Sequence, residues 1–425
     1  MKVLLIRPKP YKDTIGLQSV MICEPLELME LAAVLKNNNI DTVIIDMILE
    51  KKPVEHFIKQ HNPDVVGITG YISHIGVIKN YAERIKAINA DIKICVGGVH
   101  ATVCPEDFSR ENVDFIAKSA DDFYEFLCCE NKEKVLPFRD LPKKYLDKYY
   151  YLFQENCALI KTSFGCPYNC NFCFCKEIAS YRTRQIDDVV NELLTIKQKE
   201  VYIVDDDFLF NRDRLISFAK KLLENKIDKH FLVYGRVDFI AQNEDVIKTL
   251  KEVGLSAVIV GVEASSQEEL NTYNKRINIT DTQKAIAILQ KYQIECYATV
   301  ILGIEWDKSD FKRLYNFLRR NNLVFVNLQP LTPMPKTPYF DSYRDRLIIP
   351  YNQHEKWDMA HLVVQPERLS IRRYYFEIIK LYYKITVRPH NVSYMFKRYG
   401  VRTTLKLSAG AAKITFQYLK KIIRG

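Results

Sequence analysis

The most constraining feature of this chain is a local pattern repeated almost throughout its length. A short run rich in Val, Ile and Leu is followed by a longer stretch with apolar residues at helical spacing. Near the start the strand-like runs are KVLLI (2–6), DTVIID (41–46), DVVGIT (64–69), DIKICVGG (91–98) and VDFIAKS (113–119). Between and after them, helical spacing recurs in LELMELAAVLKNN (26–38), around Val54–Gln60, near Val77–Ile88 and in DDFYEFLCC (121–129). Runs without polar alternation predict strands covered on both faces, hence a parallel sheet with helices above and below. Five of them predict an α/β doubly wound domain of flavodoxin type, Rossmann-like, with its ligand crevice at the strand C-termini.

A polar, proline-containing stretch (131–150) interrupts the pattern and reads as a linker. Alternation resumes with ALIKTS (158–163), VYIVDD (201–206), HFLVYGR (230–236), AVIVGVE (257–263), ECYATVIL (295–302) and LVFVNLQP (323–330). Six strand–helix units predict a partial or open (β/α)6 barrel with its chemistry at the strand C-termini. LTPMPKTP (331–338) cannot continue a regular element. The expected division is therefore a domain over 1–135, a linker over 136–155, a partial barrel over 156–340 and a basic helical region over 341–425. A chain of 425 residues exceeds the ~250–300 residues at which one core stops growing.

Chemistry concentrates in Lys161-Thr-Ser-Phe-Gly-Cys166-Pro-Tyr-Asn-Cys170-Asn-Phe172-Cys173-Phe-Cys175, directly after the first strand of the second half. Three cysteines at C-x3-C-x2-C in one loop can aim three thiolates at one centre. Soft thiolates suit an iron–sulfur cluster or zinc. Structural zinc wants four ligands, and Cys175 is the only nearby candidate for the fourth, with no second C-x2-C or H-x3-H pair at finger distance. Three ligands instead leave one corner of a [4Fe–4S] cubane open. The remaining cysteines are dispersed, and those in strand-like runs, such as Cys95 and Cys296, read as small buried hydrophobes. With no export signal legible, eleven cysteines suggest a reducing compartment and metal ligation rather than disulfides.

The loop resembles that of the radical S-adenosylmethionine (SAM) superfamily, down to the aromatic Phe172 before the third cysteine. The resemblance implies that Cys166, Cys170 and Cys173 hold the cluster and that SAM chelates the open iron before cleavage to a 5′-deoxyadenosyl radical. Further matches follow at later strand ends. Val204-Asp-Asp-Asp-Phe208 resembles the D-D-x-F element of the cobalamin-associated branch, and Gly235-Arg236-Val-Asp238 its R-V-D stretch. Gly261-Val-Glu263-Ala264-Ser265 with Asn274-Lys275-Arg276 resembles the G-x-E-S segment and its following lysine, with Ala264 in place of Ser. Thr299–Gly303 resembles the strand lining the adenine. The family's G-G-E is absent. Asp206, or its neighbour Asp205 or Asp207, is expected in its place, with Arg236 on the SAM carboxylate, Glu263 on ribose or amino group, and Phe172 and Gly303 completing the SAM contacts.

The first domain resembles the cobalamin-binding domain found before such barrels. Gly97-Gly98-Val-His100-Ala-Thr102 matches its G-G-x-H-A-T, and Thr69, Gly70, Tyr71 and Ser73 would line the same crevice. The cobalt-ligating D-x-H-x-x-G motif is absent, as is usual in this branch, so His74 and His100 are expected to support the site rather than ligate cobalt. The implied cofactors are a [4Fe–4S] cluster, SAM and cobalamin, with an electron donor of flavodoxin or ferredoxin type. The implied activity is C-methylation of an unactivated carbon through the deoxyadenosyl radical and methylcobalamin. Rearrangement, cyclisation or C–C coupling by the same architecture is the alternative, and a non-catalytic iron–sulfur or cobalamin-binding regulator is a rival of another class.

Net charge is +10, but Arg368–Gly425 carries fourteen basic residues against Glu377 alone, which leaves the rest slightly acidic. Ile371–Ile385, Val392–Met395 and Ile414–Ile423 place apolar and aromatic residues beside these bases. Such a tail reads as a helical cap over the barrel mouth, as a membrane-surface element, or as both. No RNA-binding module accompanies the bases, which disfavours nucleic acid. A small-molecule or lipid-like substrate is expected. No uncharged run reaches the ~18–20 residues of a membrane span, and the expected location is the cytoplasm, with peripheral membrane attachment through the tail.

Overall fold

The computed structural model describes residues 1–15, 20–108, 111–133 and 135–424. The chain forms two compact units: the described residues up to Tyr149, apart from Val20 and Met21, together with Pro350–Asp358, and Val20–Met21 with Tyr150–Ile349 and the chain from Met359.

In the first unit, β1 (Lys2–Arg7), α1 (Leu26–Asn37), β2 (Asp41–Asp46), α2 (Val54–His61), β3 (Val65–Thr69), α3 (Ile75–Ile88), β4 (Lys93–Gly97), α4 (Val99–Val103), β5 (Phe115–Ile116) and α5 (Ala120–Phe126) follow in order. The sheet is parallel, ordered β2-β1-β3-β4-β5, which is the flavodoxin-type order expected. Val3–Ile6, Val66, Ile68, Ile94 and Val96 are buried within it.

The stretch read as a linker is not loose before Tyr149. Asp140, Lys143, Lys144, Asp147 and Lys148 face outward, but Tyr145 and Tyr149 are fully buried. Tyr149 donates to Asp46 (3.1 Å) and Tyr145 to Glu50 (2.6 Å). Average polarity concealed two anchors whose hydroxyls each find a carboxylate.

In the second unit, β6 (Ala158–Ile160), the short β7 (Ser163–Phe164) and β8 (Arg182–Thr183), α6 (Ile186–Thr195), β9 (Glu200–Ile203), α7 (Arg212–Glu224), β10 (His230–Gly235), α8 (Glu244–Glu252), β11 (Leu255–Glu263), α9 (Ile279–Lys291), β12 (Glu295–Leu302), α10 (Lys308–Arg320) and β13 (Phe325–Pro330) alternate as anticipated. β6, β9, β10, β11, β12 and β13 form a parallel six-stranded sheet in sequence order, open between its two ends. β7 and β8 pair separately and antiparallel.

The tail forms α11 (Ile371–Thr386) and α12 (Pro389–Arg424), the latter broken at Gly400 (φ 77°). It does not cap the barrel mouth. Tyr374 donates to Gly303 O at the C-terminal end of β12, Tyr382 engages Leu328 of β13, and Tyr394 bonds Glu295 where β12 begins. The tail therefore runs down the side of the sheet and covers its exposed edge strand, where unpaired backbone groups need partners. Among the described residues no helix is long and apolar enough to cross a membrane.

Candidate cluster and cofactor sites

The cysteine loop leaves β6 and is closed at its base by β7 pairing with β8. Gly165 is required there: its φ is +67°, and a Cβ would stand 2.2 Å from Ala179 O. The Cys173 amide donates to Cys170 O, tightening the second half of the loop. The loop is also pinned to the segment after β11. Asn171 donates to Tyr273 O and Thr272 O, and Asn274 donates to Asn169 O. Phe172 packs edge-on against Tyr273.

Cys166, Cys170 and Cys173 are each partly buried. Burial pushes the Cys166 thiol up to about 12. Burial also raises Cys170, against the pull of Lys275 and Arg236. Cys173 moves the other way, because the Cys175 thiol donates a hydrogen bond to it, and Cys175 is raised in consequence. Cys175 thus lies beside Cys173. Replacing Cys175 by Ala is expected to leave iron and sulfide content intact while lowering the cluster's reduction potential, since a hydrogen bond to a ligand sulfur is lost. Redox titration of both proteins checks this.

The three aspartates after β9 have separate fates. Asp205 is buried and accepts from Thr162 N and Oγ1 (both 2.6 Å) and Ser163 Oγ (2.7 Å), which ties the ends of β6 and β9 together. It is structural. Asp206 is partly exposed and acts electrostatically on Cys166, Cys173 and Cys175. Asp207 is 4% exposed, and neither carboxylate oxygen closes a hydrogen bond. Burial pushes it up to about 8, partly countered by Arg236 and Lys275, with Asp238 adding to the rise and the Leu209 amide subtracting from it.

That shift has a consequence for stability. The unfolded carboxyl ionises near 3.9, while the folded one keeps its proton to about pH 8. Wild-type protein prepared without cofactors therefore loses stability as pH rises between these values. Asp207→Asn, which cannot ionise, should melt above wild type at pH 7.5 and converge with it near pH 4, as thermal unfolding at the two pH values would show.

Arg236, after β10, is largely committed. It pairs with Asp238 (3.0 Å), donates to Lys275 O (2.7 Å) and stacks over Tyr168 (3.8 Å), while Nη1 faces Cys170 Sγ at 4.0 Å. Glu263 sits at a register shift where β11 leaves β12, with φ +59°. Irregularities of this kind re-aim a side chain at a strand end. Lys275 holds it in a buried ion pair and also donates to Gly261 O (2.9 Å). A Cβ on Gly261 would lie 2.4 Å from both charged groups, and one on Gly303 2.4 Å from Glu305. Phe172, Asp206, Asp207, Arg236, Glu263 and Gly303 all belong to loops or strand ends at the C-terminal side of this sheet. Tyr168 and Asp238 were not anticipated as supports of Arg236, although Asp238 lies inside the quoted motif.

In the first unit Thr69 and Gly97 are register partners at the ends of β3 and β4. Gly98 has φ +93°, and a Cβ there would meet Thr69 Oγ1 at 2.5 Å. Tyr71 is 59% exposed and Ser73 partly so. His74 accepts from the Tyr71 amide, and burial lowers it to about 4, so the ring is neutral. His100 is buried, with Nε2 2.7 Å from Asp107. Both imidazoles are engaged within the protein. Burial likewise raises the isolated Cys95 and Cys296 thiols to about 12.

Two family models match: the B12 binding domain over residues 13–125 and the Radical SAM superfamily over residues 160–318. This chain belongs to the radical SAM enzymes that carry a B12-binding domain. It is 27% identical over 253 residues to the hopanoid C-3 methylase of Methylococcus capsulatus, covering 59% of this chain and 48% of that one. It thus spans about half the length of that relative. It is 25% identical to the anaerobic magnesium-protoporphyrin IX monomethyl ester cyclase of Rubrivivax gelatinosus, covering 87% and 74% of the two chains. The fold is that of the cobalamin-dependent S-adenosylmethionine radical enzyme OxsB, with a TM-score of 0.71 at 14% identity over 99% of this chain and 72% of that one. The two domains imply cobalamin, a [4Fe–4S] cluster and SAM as cofactors.

Proposed function

We propose that this enzyme methylates an unactivated carbon of a small-molecule or lipid-like substrate. The observation that carries the reading is a three-thiol loop at the strand ends of a radical SAM sheet in a chain that also has a B12-binding domain and resembles a methylase. When bound, the cofactors supply hydrogen-atom abstraction and delivery of a methyl group. The chain's own residues hold and orient them. Cys166, Cys170 and Cys173 are the cluster ligands. Asp206 takes the SAM amino group, Arg236 Nη1 the carboxylate beside Cys170, and Glu263 the ribose, with Phe172 and Gly303 shaping the pocket. Asp207, protonated at neutral pH, has a carboxyl free to donate toward the same ligand. Thr69, Tyr71, Ser73, Gly97 and Gly98 receive cobalamin, and His100 braces that end from within. Reducing equivalents come from a flavodoxin- or ferredoxin-type donor.

Reconstituted enzyme with SAM, cobalamin, reductant and candidate substrates should form 5′-deoxyadenosine and S-adenosylhomocysteine together with a methylated product. Deoxyadenosine without S-adenosylhomocysteine would select the second reading, cyclisation or coupling, which the similarity to a cyclase favours.

The tail points to a lipid surface in reach of the enzyme. Val401, Leu405, Phe416, Leu419 and Ile423 are exposed on α12 among Arg402, Lys406, Lys413, Lys420 and Lys421. Each base near an anionic surface is worth about 1 kcal/mol. Reversing Arg402, Lys406, Lys413 and Lys420 to Glu should therefore weaken binding to phosphatidylserine vesicles by at least about 100-fold. Unchanged co-sedimentation would remove the membrane reading.

A further inference from the structure

A second cluster of metal-binding side chains lies in the first unit, apart from the cysteine loop. α4 puts His100 and Cys104 one helical turn apart, the Cys104 amide bonding His100 O at 2.8 Å, so both side chains share a face. The 3-10 turn Pro105–Asp107 then folds Asp107 back onto them. A ring nitrogen of His100, Cys104 Sγ and a carboxylate oxygen of Asp107 all lie within 4.8 Å of one another. His100 and Cys104 are 4% and 2% exposed.

The fourth group comes from far along the chain. Pro350–Asp358 packs within this unit, and His354 Nε2 stands 3.9 Å from Asp107 Oδ2. That nitrogen is buried with no hydrogen-bond partner. Tyr351, on the same returning segment, donates to Asp107 Oδ2 at 2.5 Å. Burial alone would raise Asp107, but hydrogen bonds from His100 and Tyr351 hold it below the usual carboxylate range. Tyr351 is thus placed as an outer partner of the kind that orients a ligating carboxylate.

We propose that His100, Cys104, Asp107 and His354 bind one zinc(II) ion, which fastens the Pro350–Asp358 segment to the first unit. Two imidazoles, a thiolate and a carboxylate make a closed N2SO set of the kind zinc accepts tetrahedrally. Bond lengths of about 2.0–2.3 Å place ligand atoms roughly 3.2–3.8 Å apart. The His100–Asp107 pair, at 2.7 Å, need only open slightly, Cys104 already lies within 4.8 Å of both, and the His354 ring, 3.9 Å from Asp107, must swing in toward the other three. The Cys104 thiol loses its proton to solvent as the metal enters. A hydrogen-bonded His100–Asp107 pair without metal leaves His354 Nε2 desolvated and unsatisfied.

Elemental analysis of the full chain, purified anaerobically from zinc-supplemented medium, should find about one zinc per chain. The ion should persist in the Cys166→Ala/Cys170→Ala/Cys173→Ala variant, which separates this site from the cluster loop. Zinc(II) affinity should fall by about 100-fold or more in Cys104→Ser and in His354→Gln, beyond the effect of losing an outer partner, whereas Cys128→Ser, at an exposed cysteine, should match wild type. Should either ligand variant fail to fold, metal-stripped wild type supplies the test: zinc(II) chloride should raise its melting temperature. In cobalamin-free protein, cobalt(II) should give thiolate-to-metal absorption in the near ultraviolet. Less than about a tenth of a zinc per chain with no thermal shift would overturn the proposal, as would equal zinc retention by folded Cys104→Ser and His354→Gln.

Discussion

Cys170→Ala is expected to lower iron in the reconstituted enzyme from about four atoms per chain to background at the cysteine loop and to abolish 5′-deoxyadenosine formation. The same holds for Cys166→Ala and Cys173→Ala. Each removes one of three thiolates from a cluster that already leaves one iron without a protein ligand, and the loop offers no good replacement. Cys175 is engaged as a donor to Cys173, and Asp206 is a hard oxygen ligand ill matched to iron–sulfur chemistry. Arg236 and Lys275 lie on the Cys170 side and favour its thiolate, so the loss of Cys170 also leaves two cations facing an empty corner. Iron, sulfide and deoxyadenosine assays on the three alanine variants and on Cys175→Ala would check the assignment. If one of the three retained full iron while Cys175→Ala lost it, the ligand set would have to be redrawn around Cys175.

Lys275→Met is expected to be the most destabilising single change outside the hydrophobic core. Lys275 and Glu263 are 5% and 11% exposed at the side chain, so solvent does little to screen their attraction. Removing the cation strands a buried carboxylate and frees Gly261 O, at a cost of about 3–5 kcal/mol. At about 2–4 °C per kcal/mol for domains of this size, the melting temperature should drop by roughly 6–20 °C. The Lys275→Met/Glu263→Gln pair should recover much of that, because no unpaired charge remains. By contrast, Arg212→Ala, which breaks the exposed Arg212–Asp245 pair, should leave the melting point nearly unmoved. Thermal unfolding of wild type and the three variants measures all of this. Equal losses for Lys275→Met and the double variant would mean that packing, not charge, holds Glu263 at its positive φ.

Much of the site was readable because its residues are local to short motifs. The cysteines, the D-D-x-F-like stretch, Arg236 and Glu263 each follow a strand, and parallel strand–helix units deliver every strand C-terminus to one side. Period and run length likewise announced both parallel sheets and the flavodoxin-type order. The division of labour among Asp205, Asp206 and Asp207 was not readable. Three identical side chains in a row differ only in what the folded backbone turns them toward: hydroxyls and an amide, the cysteine loop, or a buried place near Arg236 and Lys275 where no donor closes on the carboxyl.

The same limit applied wherever distant segments meet. Tyr145 and Tyr149 looked like part of a polar linker because composition averages over the two faces of a turn. The tail's aromatics suggested a cap, whereas Tyr374 and Tyr382 go to the ends and edge of the sheet. Local spacing determined the element types, the strand-end location of the chemistry and the three clustered thiols, since these depend on neighbours a few residues apart. Only tertiary structure decided which charges are paired and which are left alone, and that His354 returns to His100, Cys104 and Asp107. Pairing across hundreds of residues is set by packing and desolvation, and neither leaves a periodic trace in the chain.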